Sequence, residues 1–255
     1  MLEGPEALKR FYDACYEPEE RPEDSDRYAA WRRLSAVAKA DHVAGLVAEA
    51  GLPAPESVVD VGCGDGALMA ALAPRWPGAR IVGYELSESA VALAAARPEI
   101  ARVAAFDGAR VPEADAAFDL SVLSHVLEHV PDPGALLAEA GRVARHVVVE
   151  VPLEANVSAR RPGKRRHAEE IGHLHAFDRG SVARMARAGG FVVLGEVLDP
   201  LGRDVHRFFA GDRRLVTVPV AAADGRRDTL PPPGDDTGAA PGTLLQIGQF
   251  SAKRL

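Results

Sequence analysis

Apolar positions along this chain follow two rhythms, one with a period near two and one near three and a half, and between residues 54 and 198 they alternate. The run VVDV at 58–61 has β-branched bulk at Val58, Val59 and Val61, which suits a strand covered on both faces. ALMAALA, about Ala67 to Ala73, then reads as a helix stopped by Pro74 and Pro77. RIVGYE returns as a second strand ending in Glu85. SESAVALAAA follows as a helix with Ser87 as N-cap and Glu88 in its first turn. RVAAFDG is a third strand closing on Asp107, and about Phe118 to Leu123 a fourth. HVVVEVP is a fifth and GGFVVLGEVL a sixth. Strands and helices in strict alternation predict a doubly wound, mostly parallel α/β sheet.

The flanks have other patterns. Residues 1–53 are helical by spacing, with Phe11, Tyr12, Tyr16, Tyr28 and Trp31 interrupted by the charged EPEERPEDSDR; WRRLSAVAKADHVAGLVAEAG stops at Gly51 and Pro53. Beyond 198, a strand is expected at about Leu215 to Val220. AADGRRDTLPPPGDDTGAAPG, dense in Pro, Gly and Asp, reads as a surface loop. TLLQIGQF is a last strand, so 199–243 form a long connection and 199–255 complete the same domain.

The first strand runs into GCGDG. Gly62, Gly64 and Gly66 let backbone approach a ligand without Cβ clashes, and the amides opening the next helix face the same spot. The dinucleotide fingerprint leaves two residues before its third glycine and this loop leaves one. Glu85, about 20 residues on at the next strand end, can accept both hydroxyls of a ribose, as any adenosine-containing cofactor requires. Asp107 fits either a ligand-facing acid or a turn acid before Gly108.

With Asp60 in front, D-V-G-C-G-D-G resembles the first motif of class I S-adenosylmethionine-dependent methyltransferases. SVLSHVLEHVPDPGALLAEAGRVA, with its polar strand end, LEHV turn and Pro-Asp-Pro stop, is similar to the region after the fourth strand in small-molecule members, the ubiquinone-pathway branch included. The resemblance covers about 54–198. It implies a seven-stranded Rossmann-like sheet whose last strand, TLLQIGQF, is antiparallel beside the sixth, with residues 1–53 as a helical cap. It implies S-adenosylmethionine as cofactor, held by Asp60, Gly62, Cys63, Gly64, Gly66, Glu85, Leu86, Asp107, Gly108 and Ser124, with Asp60 accepting from the cofactor ammonium directly or through water.

Methyl transfer from a sulfonium is an in-line displacement, and a hydroxyl acceptor must also lose a proton. The histidines near strand ends are the base candidates: His125 and His129 flank Glu128, and GHLHAFD supplies His173 and His175. By resemblance His173 faces the acceptor with His129 behind it. His175 could replace His173, since alternation on an extended segment puts both on one face. HVLEH also matches the zinc-peptidase pattern H-x-x-E-H, but it starts at a strand end and Pro131 leaves too little helix. By resemblance, some ubiquinone-pathway O-methyltransferases have E-x-x-E-H here and use a divalent ion. His125 replaces that first glutamate, and no metal is expected. In RRPGKRRH, Arg160, Arg161, Lys164, Arg165 and Arg166 form either a solvated loop or a clamp for an anionic acceptor.

At 255 residues, with 47% hydrophobic and 26% charged, the chain has the composition of an ordinary globular protein. No stretch approaches the roughly 18 uninterrupted apolar residues of a membrane helix, so no membrane role is expected. MLEGPEALKR has no export pattern, and Cys15 and Cys63 make no disulfide framework, which points to the cytoplasm. A formal charge of −7 disfavours nucleic acid as a partner. The expected partner is a small-molecule substrate, with a homodimer as the oligomeric state considered. A nicotinamide-dependent oxidoreductase and a non-catalytic cofactor-binding regulator are the competing functions.

Overall fold

A computed structural model describes residues 5–16, 25–154, 166, 171–200 and 243–250. Two helices come first, α1 (Pro5–Tyr16) and α2 (Ser25–Glu49). Ala36, Ala40, Val43, Leu46 and Val47 make the buried stripe of α2. Gly51, at φ 68°, ends that helix: its amide bonds to Ala48 O and that of Leu52 to Val47 O, the paired closure that a left-handed residue permits.

The core then alternates as expected: β1 (Ser57–Val61), α3 (Ala67–Leu72), β2 (Arg80–Glu85), α4 (Glu88–Ala95), β3 (Arg102–Ala105), β4 (Phe118–Ser124), α5 (Pro133–Val143), β5 (Ala144–Pro152), α6 (Arg179–Ala188), β6 (Val192–Pro200) and β7 (Thr243–Phe250). Local chemistry sets the boundaries. Ser87 caps α4 by accepting from Ala90 N, Asp132 before Pro133 caps α5, and Asp178 and Ser181 form a reciprocal capping box on α6.

The strands form one sheet in the order β3-β2-β1-β4-β5-β7-β6. β1 to β5 make a parallel platform. The expected antiparallel last strand is corrected here: β7 does lie beside β6, but it pairs in parallel with both β5 and β6. A tight hairpin would have forced the antiparallel sense, whereas residues 201–242 are long enough to return the chain to the same end of the sheet. The strand expected at Leu215 to Val220 and the Pro-Gly-Asp loop lie outside the described residues.

Side-chain alternation packs the sheet on both faces. Val59 and Val61, with Val147, Val149 and Val151, join Leu136, Leu137 and Ala140 of α5 on one side. Val58, Leu120, Val122 and Val148 meet Met69 and Leu72 of α3 and the α2 stripe on the other. Gly83 in mid-β2 is where the core meets the loop, since a Cβ there would fall 2.6 Å from Met69 Cε and 2.7 Å from Cys63 Sγ. Only glycine lets both pack that close, and overpacking typically costs about 1–3 kcal/mol. No helix among the described residues is long and apolar enough to cross a membrane.

Candidate functional site

The carboxyl ends of β1, β2, β4 and β5 gather most of the candidate residues. Gly62, Gly64 and Gly66 all have positive φ, at 82°, 54° and 75°. The turn is pinned to β2 by the amides of Gly62 and Cys63, both donating to Tyr84 O. Glu85 is turned into this loop: Oε2 accepts from Gly64 N at 2.8 Å, while Oε1 accepts from Leu86 N at 2.8 Å and Ser87 N at 3.0 Å. Burial nonetheless lifts its carboxyl above the ordinary range. Asp60 is buried, and its Oδ1 has no hydrogen-bond partner among the described residues. Burial pushes its carboxyl up to about 7; Lys39 opposes the rise, and Glu85 and Glu150 add to it.

Asp107 stands apart from this group. It is exposed, and Oδ1 closes a turn by accepting from Ala109 N and Arg110 N, both at 2.8 Å, which hold its carboxyl below the usual range. Gly108 beside it has φ 78° and lies near Leu86.

Sequence reasoning missed how α1 and α2 meet the loop. The hydroxyl of Tyr16 occupies the space over Gly64, Asp13 accepts from Ser87 Oγ at 2.7 Å, and Lys9 bridges Asp13 and Glu88. Arg32 and Arg97 flank the buried Asp65, whose Oδ1 accepts from Ala67 N. Lys39 donates to Ser124 Oγ at 3.1 Å and lies 3.7 Å from Glu150, which accepts from Ser124 Oγ. One signal for Lys39 was available: it falls in the helical stripe between Ala36 and Val43, where a cation needs a buried partner.

After β4 the chain turns through His125, at φ 57°, to His129, whose amide closes on Val126 O. The segment bears a turn, with no helix to put His125 and His129 on one face, so the peptidase geometry is not formed. Glu128 is fully buried and its backbone oxygen accepts from Leu174 N and His175 N, which docks the 173–175 segment on the turn. His129 and His173 come together, ring centres 4.7 Å apart. Nδ1 of His129 donates to Gly172 O, and burial, only partly offset by Glu128, holds this imidazole below its usual range. Nδ1 of His173 meets Glu154 Oε2 at 2.6 Å. His175 does not join the pair: its Nε2 donates to Val130 O at 2.9 Å, and its ring lies beside Phe177. His125 leans between two carboxylates, 3.1 Å from Glu128 and 3.8 Å from Glu150. For Glu128, burial raises the carboxyl but His125 pulls it lower; for Glu150, burial is outweighed by Lys39 and His125.

Of the basic run, Arg160, Arg161, Lys164 and Arg165 lie outside the described residues, and Arg166 is exposed. The cleft lined by Pro53, Glu56, Asp119 and His146 sits at the opposite, amino ends of the strands and holds no candidate residue.

Comparison with known proteins finds similar chains among methyltransferases. A malonyl-[acyl-carrier protein] O-methyltransferase from Hahella chejuensis is 34% identical over 121 residues, 44% of this chain and 43% of that protein. A trans-aconitate 2-methyltransferase from Mycolicibacterium gilvum is 38% identical over 101 residues, 38% of each chain. The chain thus spans less than half the length of these curated relatives. The crystal structure of a Thermotoga maritima protein described as an S-adenosylmethionine-dependent methyltransferase, possible histamine N-methyltransferase, shares the fold with a TM-score of 0.55 at 20% identity, over 72% of this chain and 81% of that one. Residues 28–196 match the methyltransferase domain family, and on that match the chain belongs to the class I S-adenosylmethionine-dependent methyltransferases.

Proposed function

We propose that the protein transfers a methyl group from S-adenosylmethionine to oxygen or nitrogen of a small-molecule acceptor, with a histidine taking the acceptor proton. The observation that carries this reading is the convergence, at one end of the sheet, of the glycine turn, Glu85 and the His129–His173 pair.

The residues present fit the cofactor. Among the described residues Asp60 has a buried oxygen without a hydrogen-bond partner beside the turn, suited to the cofactor ammonium. Glu85, held by three amides, is oriented for ribose hydroxyls, with Gly62, Cys63, Gly64, Gly66 and Leu86 around it and Ser124 at the neighbouring strand end. Asp107 and Gly108 are proposed to border the adenine. Bound there, the cofactor supplies an electrophilic methyl on a positive sulfur. Residues 1–53 are proposed as a cap, 54–198 as the cofactor-binding core and 199–255 as the insertion and final strand; the packing of Tyr16 and Asp13 on the loop supports the cap.

His173 is the favoured base. Glu154 fixes its Nδ1 as the protonated nitrogen, which leaves the Nε2 lone pair for the acceptor. His129 packs behind it, and His125 and His175 border the pocket. An anionic group on the acceptor would meet the basic run at 160–166. Calorimetry with S-adenosylmethionine and with NADH, followed by detection of S-adenosylhomocysteine in the presence of acceptor, tests the reading; tight binding of NADH alone would sink it.

A further inference from the structure

The geometry points to a protonated amine as the reacting group of the acceptor, seated between Glu128, His129 and His173. This rests on the methyl-transfer reading and narrows it from oxygen or nitrogen to nitrogen.

One ligand atom from each of these three residues lies within 4.8 Å of the other two. All three are acceptors. Gly172 O can only accept, so Nδ1 of His129 carries the hydrogen and Nε2 the lone pair. Glu154 imposes the same tautomer on His173. Glu128 is fully buried and neither of its oxygens has a hydrogen-bond partner among the described residues; Nδ1 of His125, at 3.1 Å, is out of line for one. A buried carboxylate without a hydrogen bond is strongly unfavourable; the charge partners recorded for Glu128 are the imidazoles of His125 and His129, while the ammonium of Lys39 is engaged with Glu150 and Ser124. Glu150 shares Lys39 with Ser124 and lies 3.8 Å from His125, and Glu154 pairs with His173.

An ammonium group supplies what this cluster lacks, a positive charge and three N–H donors. A hydroxyl brings one donor and no charge, and an anion would add repulsion. In the reaction the bound ammonium passes one proton to Nε2 of His173, freeing the nitrogen lone pair. The N–C bond then forms as the S–C bond breaks, the electron pair of that bond staying on sulfur as a neutral thioether. The product is an N-methylated ammonium.

The probe is methylammonium, with methanol and acetate as neutral and anionic counterparts of similar size. Each is added to the full chain saturated with S-adenosylhomocysteine, and the imidazole NMR resonances of His129 and His173 are followed. Methylammonium should shift both saturably, with methanol and acetate about tenfold weaker or more. Glu128→Gln should weaken the response by a similar factor, and His173→Asn serves as the second variant should Glu128→Gln fail to fold. Equal responses to the three probes, no saturable shift, or an unchanged response in the folded variants overturns the proposal. So does Zn2+ alone engaging both imidazoles in a complex that methylammonium cannot displace, which would make the cluster a metal centre. Binding of S-adenosylmethionine is measured separately, so a negative result here leaves the methyl-donor reading standing or falling on its own.

Discussion

The hydroxyl oxygen of Tyr16 lies 2.6 Å from the point where a Cβ on Gly64 would sit. The glycine turn and α1 are thus built against each other, and Gly64 also has φ 54°, a conformation L-residues resist by roughly 1–2 kcal/mol. Gly64→Ala should lower thermal stability and weaken S-adenosylmethionine binding. Adding Tyr16→Leu removes the clash and leaves the backbone strain, so the double variant should recover only part of the loss. Calorimetry and thermal denaturation on the three variants check this; full recovery would mean the backbone conformation contributes nothing.

His173→Ala should cut methyl transfer by about a hundredfold or more, the range of a general base, while cofactor affinity stays nearly unchanged. Glu154→Gln keeps the ring in place and removes the carboxylate that fixes its tautomer, so a smaller loss, about tenfold, is expected. An unaltered rate in His173→Ala removes this residue from the catalytic role.

The strands and caps were legible because local chemistry determines them. The β-branched runs at Val58 and Val147 form strands, and Ser87 caps α4. The direction of β7 was not legible, since a connection as long as 201–242 allows either sense. Among the histidines, spacing placed His173 and His175 as equals. What separates them is non-local, a carboxylate at Glu154 for one and a carbonyl at Val130 for the other. The contacts of α1 with the loop depend on tertiary packing, and no periodicity encodes them.

Glu85→Ala should weaken S-adenosylmethionine binding by about tenfold to a hundredfold, the size of a lost charged hydrogen bond of roughly 1.5–3 kcal/mol. The same carboxylate accepts from Gly64, Leu86 and Ser87, so melting temperature should fall as well. Unchanged affinity in a folded variant contradicts the ribose assignment.

Among the described residues, Lys39 is the ammonium that lies beside Glu150, a carboxylate with no exposure. Removing it strands a buried charge, so Lys39→Met should destabilise the fold by about 3–5 kcal/mol. Glu150→Gln added to Lys39→Met removes the stranded charge and should restore much of that. Chemical denaturation of the set decides it; a double variant less stable than Lys39→Met would show that His125, 3.8 Å from Glu150, serves as sufficient counter-charge without Lys39.

Asp60 links pH to both stability and cofactor affinity. Its carboxyl is raised to about 7 by burial, against the opposing pull of Lys39. The folded chain then holds a proton there that the unfolded chain releases at lower pH. The contribution to stability is full below the ordinary carboxylate range and is lost as pH rises through about 7, at about 1.4 kcal/mol for each pH unit crossed. Asp60→Asn should therefore gain stability on the wild type between about pH 4 and 7, with no further gain above that. The cofactor reverses the preference, because its ammonium requires the ionised carboxylate. Affinity for S-adenosylmethionine should rise by up to about tenfold per pH unit as pH approaches 7, then level off and fall above about 8, where an α-amino group loses its proton. Asp60→Asn should bind more weakly at pH 7.5 and lack the rise below 7. Calorimetry at several pH values compares the two proteins, and parallel pH dependences would remove Asp60 from the ammonium site.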